Sequence, residues 1–369
     1  MQASIENKIQ NRKKRWIDFL SMDSEIKRLL ITTIYKFEIE NLAKLATVLI
    51  PGNKQKRIDY ILEKYEKMLE QMQWLEDDSI PYLSFFTGSE IFAEAFGCKV
   101  KHPNSNLPFS IPIIKTSGEV TKLKVPNLYD STLFKHFEIA DEVIKRTGKD
   151  ITTGLTDTPG PFEVAAQIWD KNEFFIALIK EPEAVKELTA KIMQLQIAFF
   201  DEWFSRYGNE FIAPFPNFYM KGGLYISNDE VGSINEQMFL DFVLDDLNTL
   251  SKRYGGLGMH CCANADHQWN NFKKIEDLHI LNLVRPVDIC LKAYKYFEDH
   301  CAQIHVFDNN IGTVFVEDPE KGTGALNKLS SIPFEIDYPE NAHIVIMPTV
   351  LGKNEAIEAS KKYYRLLFR

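Results

Sequence analysis

The chain has 369 residues, 45% hydrophobic and 26% charged, with a formal net charge of −9, the balance of an ordinary soluble globular protein. That acidic surplus speaks against a dedicated binder of nucleic acid or anionic membrane, since both reward a basic face, and no apolar run nears the roughly 20 residues that span a bilayer. Five cysteines, an odd number in a long chain, favour reduced thiols over a disulfide framework; without an apolar signal core at the N-terminus, the expected location is the cytoplasm.

Residues 1–75 are charged and periodic, as in Glu25-Ile26-Lys27-Arg28-Leu29-Leu30 and Tyr60-Ile61-Leu62-Glu63-Lys64-Tyr65. Apolar residues recur every three or four positions, which predicts two or three amphipathic helices, broken at Pro51-Gly52-Asn53. We read 1–75 as a helical extension of a larger domain, 76–369. That domain begins with an apolar strand at 81–86 and a helix at 90–96 ending on Gly97. Prolines and a period of two predict a β-hairpin excursion over 99–125, followed by a helix over 132–146.

Alternation then sets in. A strand at 151–155 leads through Thr156-Asp157-Thr158-Pro159-Gly160-Pro161 into a helix at 162–169, and a long helix spans 182–206. An apolar run at 211–216 and a loop at 219–229 precede a helix over 235–254, with Ser233 as N-cap and Glu236 three residues on. Further strands fall at 257–262, 279–284, 302–307 and 343–347, and helices at 268–276, 289–298 and 353–367. Repeated strand–helix order implies right-handed crossovers and a parallel sheet. Closed on itself, that is an α/β TIM (β/α)8 barrel; an open doubly wound sheet is the alternative. No Gly-x-Gly-x-x-Gly stands between a strand and a helix, so nucleotide binding lacks support.

A parallel barrel does its chemistry at the carboxyl ends of its strands. Asp157, Lys221, Asp229, and His260 with Cys262 each follow an apolar strand in this reading. The densest cluster is Gly255-Gly256-Leu257-Gly258-Met259-His260-Cys261-Cys262-Ala263-Asn264. A His-x-Cys pair on an extended segment turns both side chains to one face, and both are preferred zinc donors. Adjacent Cys261 and Cys262 face opposite ways. Asp157 fits either a pocket or an Asx turn, and Asp229 either a pocket or a helix start. Lys221 and Tyr219 are candidates for substrate binding. Cys290 and Cys301 read as small packing residues.

Three stretches together resemble the uroporphyrinogen decarboxylase superfamily of TIM barrels over roughly residues 75–369. They are Thr156 to Trp169, Ile226-Ser227-Asn228-Asp229-Glu230 with its following helix, and Arg253-Tyr254-Gly255-Gly256 before His260-Cys261-Cys262. The decarboxylase proper grips porphyrinogen carboxylates with an Arg-Gln-Ala-Gly-Arg stretch. Here that region reads Ser84-Phe85-Phe86-Thr87-Gly88-Ser89-Glu90, without arginine, where a polycarboxylate needs cationic clamps.

A second branch moves methyl groups between a methylated corrinoid protein and a thiol, binding zinc through a matching His-x-Cys and a cysteine after the last strand. The resemblance implies zinc at His260 and Cys262, with Asp229 and Asp157 shaping or protonating the substrate. It also implies a small-molecule substrate and a corrinoid protein as partners, with a homodimer as the assembly considered. The last strand, His343-Ile344-Val345-Ile346-Met347-Pro348-Thr349, brings no such cysteine. A third ligand, the usual minimum for catalytic zinc, must then come from Cys261, Glu90, Asp229, His305 or His343. A metal-free decarboxylase or lyase acting on a small carboxylate is the rival enzyme reading, and a barrel that only binds a partner is the non-enzymatic one.

Overall fold

In space the strands follow the order of the chain. The computed structural model describes residues 2–22, 29–31, 34–35, 52–103, 108–307, 338–347, 349–350 and 352–367. Leu224–Ser227, Leu257–Cys261, Leu278–Arg285, Ala302–Gln303 and Ile344–Ile346 are successive parallel neighbours. Thr153–Gly154 pairs in parallel with Glu210–Ile212, and Leu83 bridges to Thr153 in the same sense. Pro159 bridges to Ser227 and links the two groups. Parallel strands in chain order with helices between them make a TIM-type barrel. Among the described residues no helix is long and apolar enough to cross a membrane.

Prolines and aromatic residues set the helical layer. Pro161 and Pro182 stand at the first positions of Pro161–Ile168 and Pro182–Tyr207, where a missing N–H costs nothing and the fixed φ suits a helix. Pro182–Tyr207 buries Phe199 and Trp203 against Phe137, with ring centroids 5.1 and 5.6 Å away. Phe92 meets Phe199 edge-on at 5.5 Å, so one aromatic cluster ties the early helices to the barrel wall.

The extension is helical at Gln2–Leu20 and Lys54–Gln71. Leu29–Ile31, expected as helix, is instead a strand alongside Ile344–Ile346; parallel pairing with a distant strand outweighs a short helical periodicity. Gln2–Leu20 lies across the N-terminal ends of the strands. Lys13 Nζ reaches Glu210 Oε2 at 2.9 Å, and His343 Nδ1–H donates to the carbonyl of Phe19 at 2.8 Å. Arg12 and Asp77 form a buried ion pair at 2.9 Å. The carboxyl ends of the strands lie at the other end of the barrel.

Other departures have local causes. The hairpin exists as Lys99–Lys101 against Phe109–Ile111, but Ser117–Lys122 is a helix, because Thr116 and Glu119 form a reciprocal capping box. The helix expected over 235–254 is two, Glu236–Phe242 and Leu244–Tyr254. Asn235 caps the first, accepting from the Met238 N–H at 2.8 Å, while Ser233 closes a preceding 3-10 turn. The loop expected between 307 and 343 lies mostly outside the described residues.

Candidate functional site

Leu244–Tyr254 ends on Gly255 in the left-handed conformation, φ +85°, and Gly256 follows at φ +117°. A Cβ on Gly256 would stand 2.3 Å from the His279 ring, so only glycine turns the chain this tightly into Leu257–Cys261. Along that strand Leu257, Met259 and Cys261 join the apolar core, and His260 takes the opposite face, as a period of two requires. Cys261 is fully buried, and Cys262, just past the strand, is exposed.

His260 sits opposite Asn282 in the register of neighbouring strands, and its Nδ1 bonds Asn282 Oδ1. Asn282 Nδ2 donates in turn to the carbonyl of Ile304, which holds the amide oxygen toward the imidazole. Nδ1 therefore carries the ring hydrogen and Nε2 keeps its lone pair. The Phe215 ring stands edge-on to the imidazole at 5.0 Å. Burial moves the His260 pKa below its ordinary value, favouring the neutral ring.

Asp229 follows Leu224–Ser227 at the same barrel end. Its N–H and that of Glu230 donate to Glu163 Oε2 at 2.8 and 2.7 Å. Its own Oδ1 accepts the Cys262 N–H at 2.5 Å. One ligand atom from each of Asp229, His260 and Cys262 lies within 4.8 Å of the other two. Desolvation, with Asp229 close by, pushes the Cys262 thiol well up, so it keeps its proton when no cation is near.

The other third-ligand candidates are accounted for. Cys261 faces the core. His305 accepts the Leu283 N–H at Nδ1, 3.1 Å, bonds Gln303 Oε1 through Nε2, 3.0 Å, and stacks on Tyr294. His343 is bound to Phe19 at the opposite end. Glu90 folds over Gly88 beside Asp157. A carboxylate oxygen, an imidazole nitrogen and a thiolate sulfur are a donor set zinc accepts, and the partners of His260 and Asp229 are those that steady metal ligands. The residues fit the ion.

Asp157 lies beside the triangle, with Ser227 Oγ donating to its Oδ1 at 3.4 Å. Burial and the neighbouring Asp229 push its carboxyl up to about 7. Burial first, then Glu94 and Asp157, raise Glu90 to about 7, and burial with Asp229 raises Glu163 to about 8. These are carboxyls able to hold or release a proton near neutrality.

Lys221 and Tyr219 are not brought to this cluster. Tyr219–Lys221 runs back antiparallel to Glu210–Ile212, so it returns to the covered end of the barrel. There Lys221 pairs with Glu210 at 3.3 Å, and Lys13 lies over the Tyr219 ring, 5.6 Å from its centroid. Sequence reasoning missed Asn282 and Glu163. Asn282 had a signal: it is a lone amide in Leu278–Arg285, a strand otherwise apolar through its centre. Glu163, one turn into a helix, looked like any acid near a helix N-terminus.

The family model described as Uroporphyrinogen decarboxylase (URO-D) matches residues 66–304. No curated protein matches the chain in sequence. Among solved structures, a methyltransferase from Methanosarcina mazei superposes with a TM-score of 0.62 at 13% identity, covering 91% of this chain and 92% of that one. At that identity the likeness concerns the fold.

Proposed function

The chain belongs to the uroporphyrinogen decarboxylase family, and from that premise we propose that it is a zinc-dependent methyltransferase. It would move a methyl group from a corrinoid protein or small methylated compound to a thiol. The observation that carries this reading is the Asp229–His260–Cys262 triangle at the carboxyl ends of the strands. Asp229 would supply the third donor in place of the cysteine expected after the last strand.

Zinc held there would act as a Lewis acid that lowers the pKa of a bound thiol and leaves a position open for it. The chain's own residues do the positioning. Asn282 fixes His260 with Nε2 as the donor atom, and Glu163 fixes the backbone that presents Asp229. Asp157, beside the triangle with Ser227 Oγ on its Oδ1, would shape the substrate side of the site. Porphyrinogen decarboxylation is disfavoured by charge. Arg57, beside the first strand, donates from Nη2 to the carbonyls of Phe85 and Phe86, and the charge it faces is Glu90.

Metal analysis of protein purified without chelator tests the reading. Stoichiometric zinc in the native chain, lost in His260→Ala, Cys262→Ser and Asp229→Ala, supports it. Cobalt substitution adds a second readout, a thiolate charge-transfer band absent from Cys262→Ser. A native chain without metal ends the proposal.

A further inference from the structure

Tyr225 is fully buried on Leu224–Ser227, and strand alternation turns it to the same side as Ser227, whose Oγ reaches Asp157. Its hydroxyl has no hydrogen-bond partner among the described residues, and the titratable groups near it are the carboxyls of Asp157 and Asp229 and the thiol of Cys262. Glu90, 7% exposed, likewise leaves Oε2 without a hydrogen-bond partner among the described residues and looks toward Asp157. Buried polar atoms are nearly always satisfied, because orphans lose their bond to water and gain nothing in return. Two of them turned toward one carboxylate point to a ligand.

The charge of that ligand follows from its surroundings. Asp157, Glu90, Glu163 and Asp229 converge here, and the nearest cations have partners of their own. Arg57 donates to the Phe86 carbonyl at 3.0 Å and faces Glu90. Lys135 pairs with Glu94 at 2.7 Å, Lys171 with Glu230 at 2.6 Å and Arg285 with Asp266 at 3.1 Å. An anion would meet repulsion without a free cation among the described residues, and desolvation strengthens that repulsion. A cation would meet carboxylates, a favourable pairing in a desolvated site.

We propose that the site beside Asp157 binds the methyl-bearing substrate as an onium cation, a methylated ammonium or sulfonium. The assignment of a methyl-bearing group rests on the methyltransferase reading; the charge preference stands on the pocket alone. In the reaction a thiolate sulfur attacks the methyl carbon. The S–C bond forms as the bond from carbon to the onium centre breaks, and the bonding pair leaves with nitrogen or sulfur. The products are a methyl thioether and a neutral amine or sulfide, with no change of overall oxidation state. The leaving group loses its charge in that step and with it the attraction to Asp157, which assists release.

Calorimetric titration of the full chain with tetramethylammonium and, separately, ethanesulfonate tests this, on both metal-loaded and chelator-treated protein. Saturable tetramethylammonium binding is expected in both states, weakened about tenfold or more by Asp157→Asn and several-fold by Tyr225→Phe. Ethanesulfonate should not bind. Saturable sulfonate binding, or tetramethylammonium binding unchanged in a folded Asp157→Asn protein, overturns the proposal. Should Asp157→Asn fail to fold, Glu90→Gln decides the matter by the same criterion. Zinc content separates the two readings: onium binding without zinc removes the metal and leaves this inference, and zinc without onium binding does the reverse.

Discussion

His260 and Asn282 stand opposite one another on neighbouring parallel strands, joined imidazole Nδ1 to amide Oδ1. Because Asn282 Nδ2 is committed to the Ile304 carbonyl, the amide cannot turn over without losing both bonds. Asn282→Leu should therefore lower zinc affinity about 10–100-fold, the usual effect of removing a ligand's supporting partner. Asn282→Asp keeps the acceptor and should lose less. Competition with a chromophoric chelator measures both, and equal affinity in native and leucine proteins would detach Asn282 from the site.

Glu163 does for Asp229 what Asn282 does for His260. One carboxylate oxygen takes two backbone N–H groups, those of Asp229 and Glu230. In Glu163→Ala both donors are orphaned, at about 1–3 kcal/mol each, and Asp229 loses its anchor. We expect a lower denaturation midpoint together with reduced zinc occupancy. Glu163→Gln preserves an acceptor oxygen and should restore most of the occupancy; equal metal loss in both variants would argue against a positioning role.

The contrast between these residues and the ones the sequence reveals has a physical basis. His260 and Cys262 are legible because their chemistry is rare and their i, i+2 spacing survives any packing of the strand. The barrel is legible because its periodic alternation is repeated to the end of the chain. Asn282 and Glu163 act through strand register and helix placement, and neither register nor placement is written in local periodicity. Tyr219 and Lys221 were misplaced for a related reason: a strand that doubles back looks, in one dimension, like the loop of a barrel mouth. Leu29–Ile31 likewise became a strand through a partner more than 300 residues away.

The contribution of Asp157 and Glu90 to the stability of the metal-free protein should fall as pH rises toward neutrality. Asp157 and Glu90 each titrate at about 7 in the folded chain, against ordinary values of 3.8 and 4.5. Between those limits the folded state binds more protons than the unfolded one, so the slope of stability with pH is negative. The loss is complete once pH exceeds the folded values. Buried histidines held below their ordinary value, such as His136 and His305, act in the opposite sense, so thermal denaturation of chelator-treated native and Asp157→Asn proteins at about pH 5 and about pH 8 isolates the carboxyl contribution. Relative to Asp157→Asn, the native midpoint should fall from the lower to the higher pH, and a difference that does not change with pH would contradict it.

Two glycines separate backbone strain from steric exclusion. Gly148 and Gly256 both hold positive φ, +100° and +117°, but a Cβ on Gly148 meets nothing within 4 Å while one on Gly256 meets the His279 ring. Gly148→Ala should cost about 1–2 kcal/mol of conformational strain alone. Gly256→Ala should cost more, because the ring must shift as well, and it should disturb the entry to the His260 strand. Urea denaturation of the two variants compares them directly; equal losses would mean that His279 yields freely.

Zinc binding should release protons, and affinity should rise with pH. Cys262 holds its thiol proton well above the ordinary range in the absence of a cation, yet it must be a thiolate to coordinate. His260, held below its ordinary pKa, is already neutral at pH values where most assays are run, so it contributes little. The expectation is at least one proton released per zinc at neutral pH. If that one proton dominates, apparent affinity gains about tenfold per pH unit. Calorimetry in buffers of differing ionisation enthalpy counts the protons, and Cys262→Asp supplies the control, since its carboxylate coordinates without that release. Zinc binding that is independent of pH and releases no proton would mean that Cys262 is not a ligand, and would leave Asp229 and His260 too few to hold a catalytic ion.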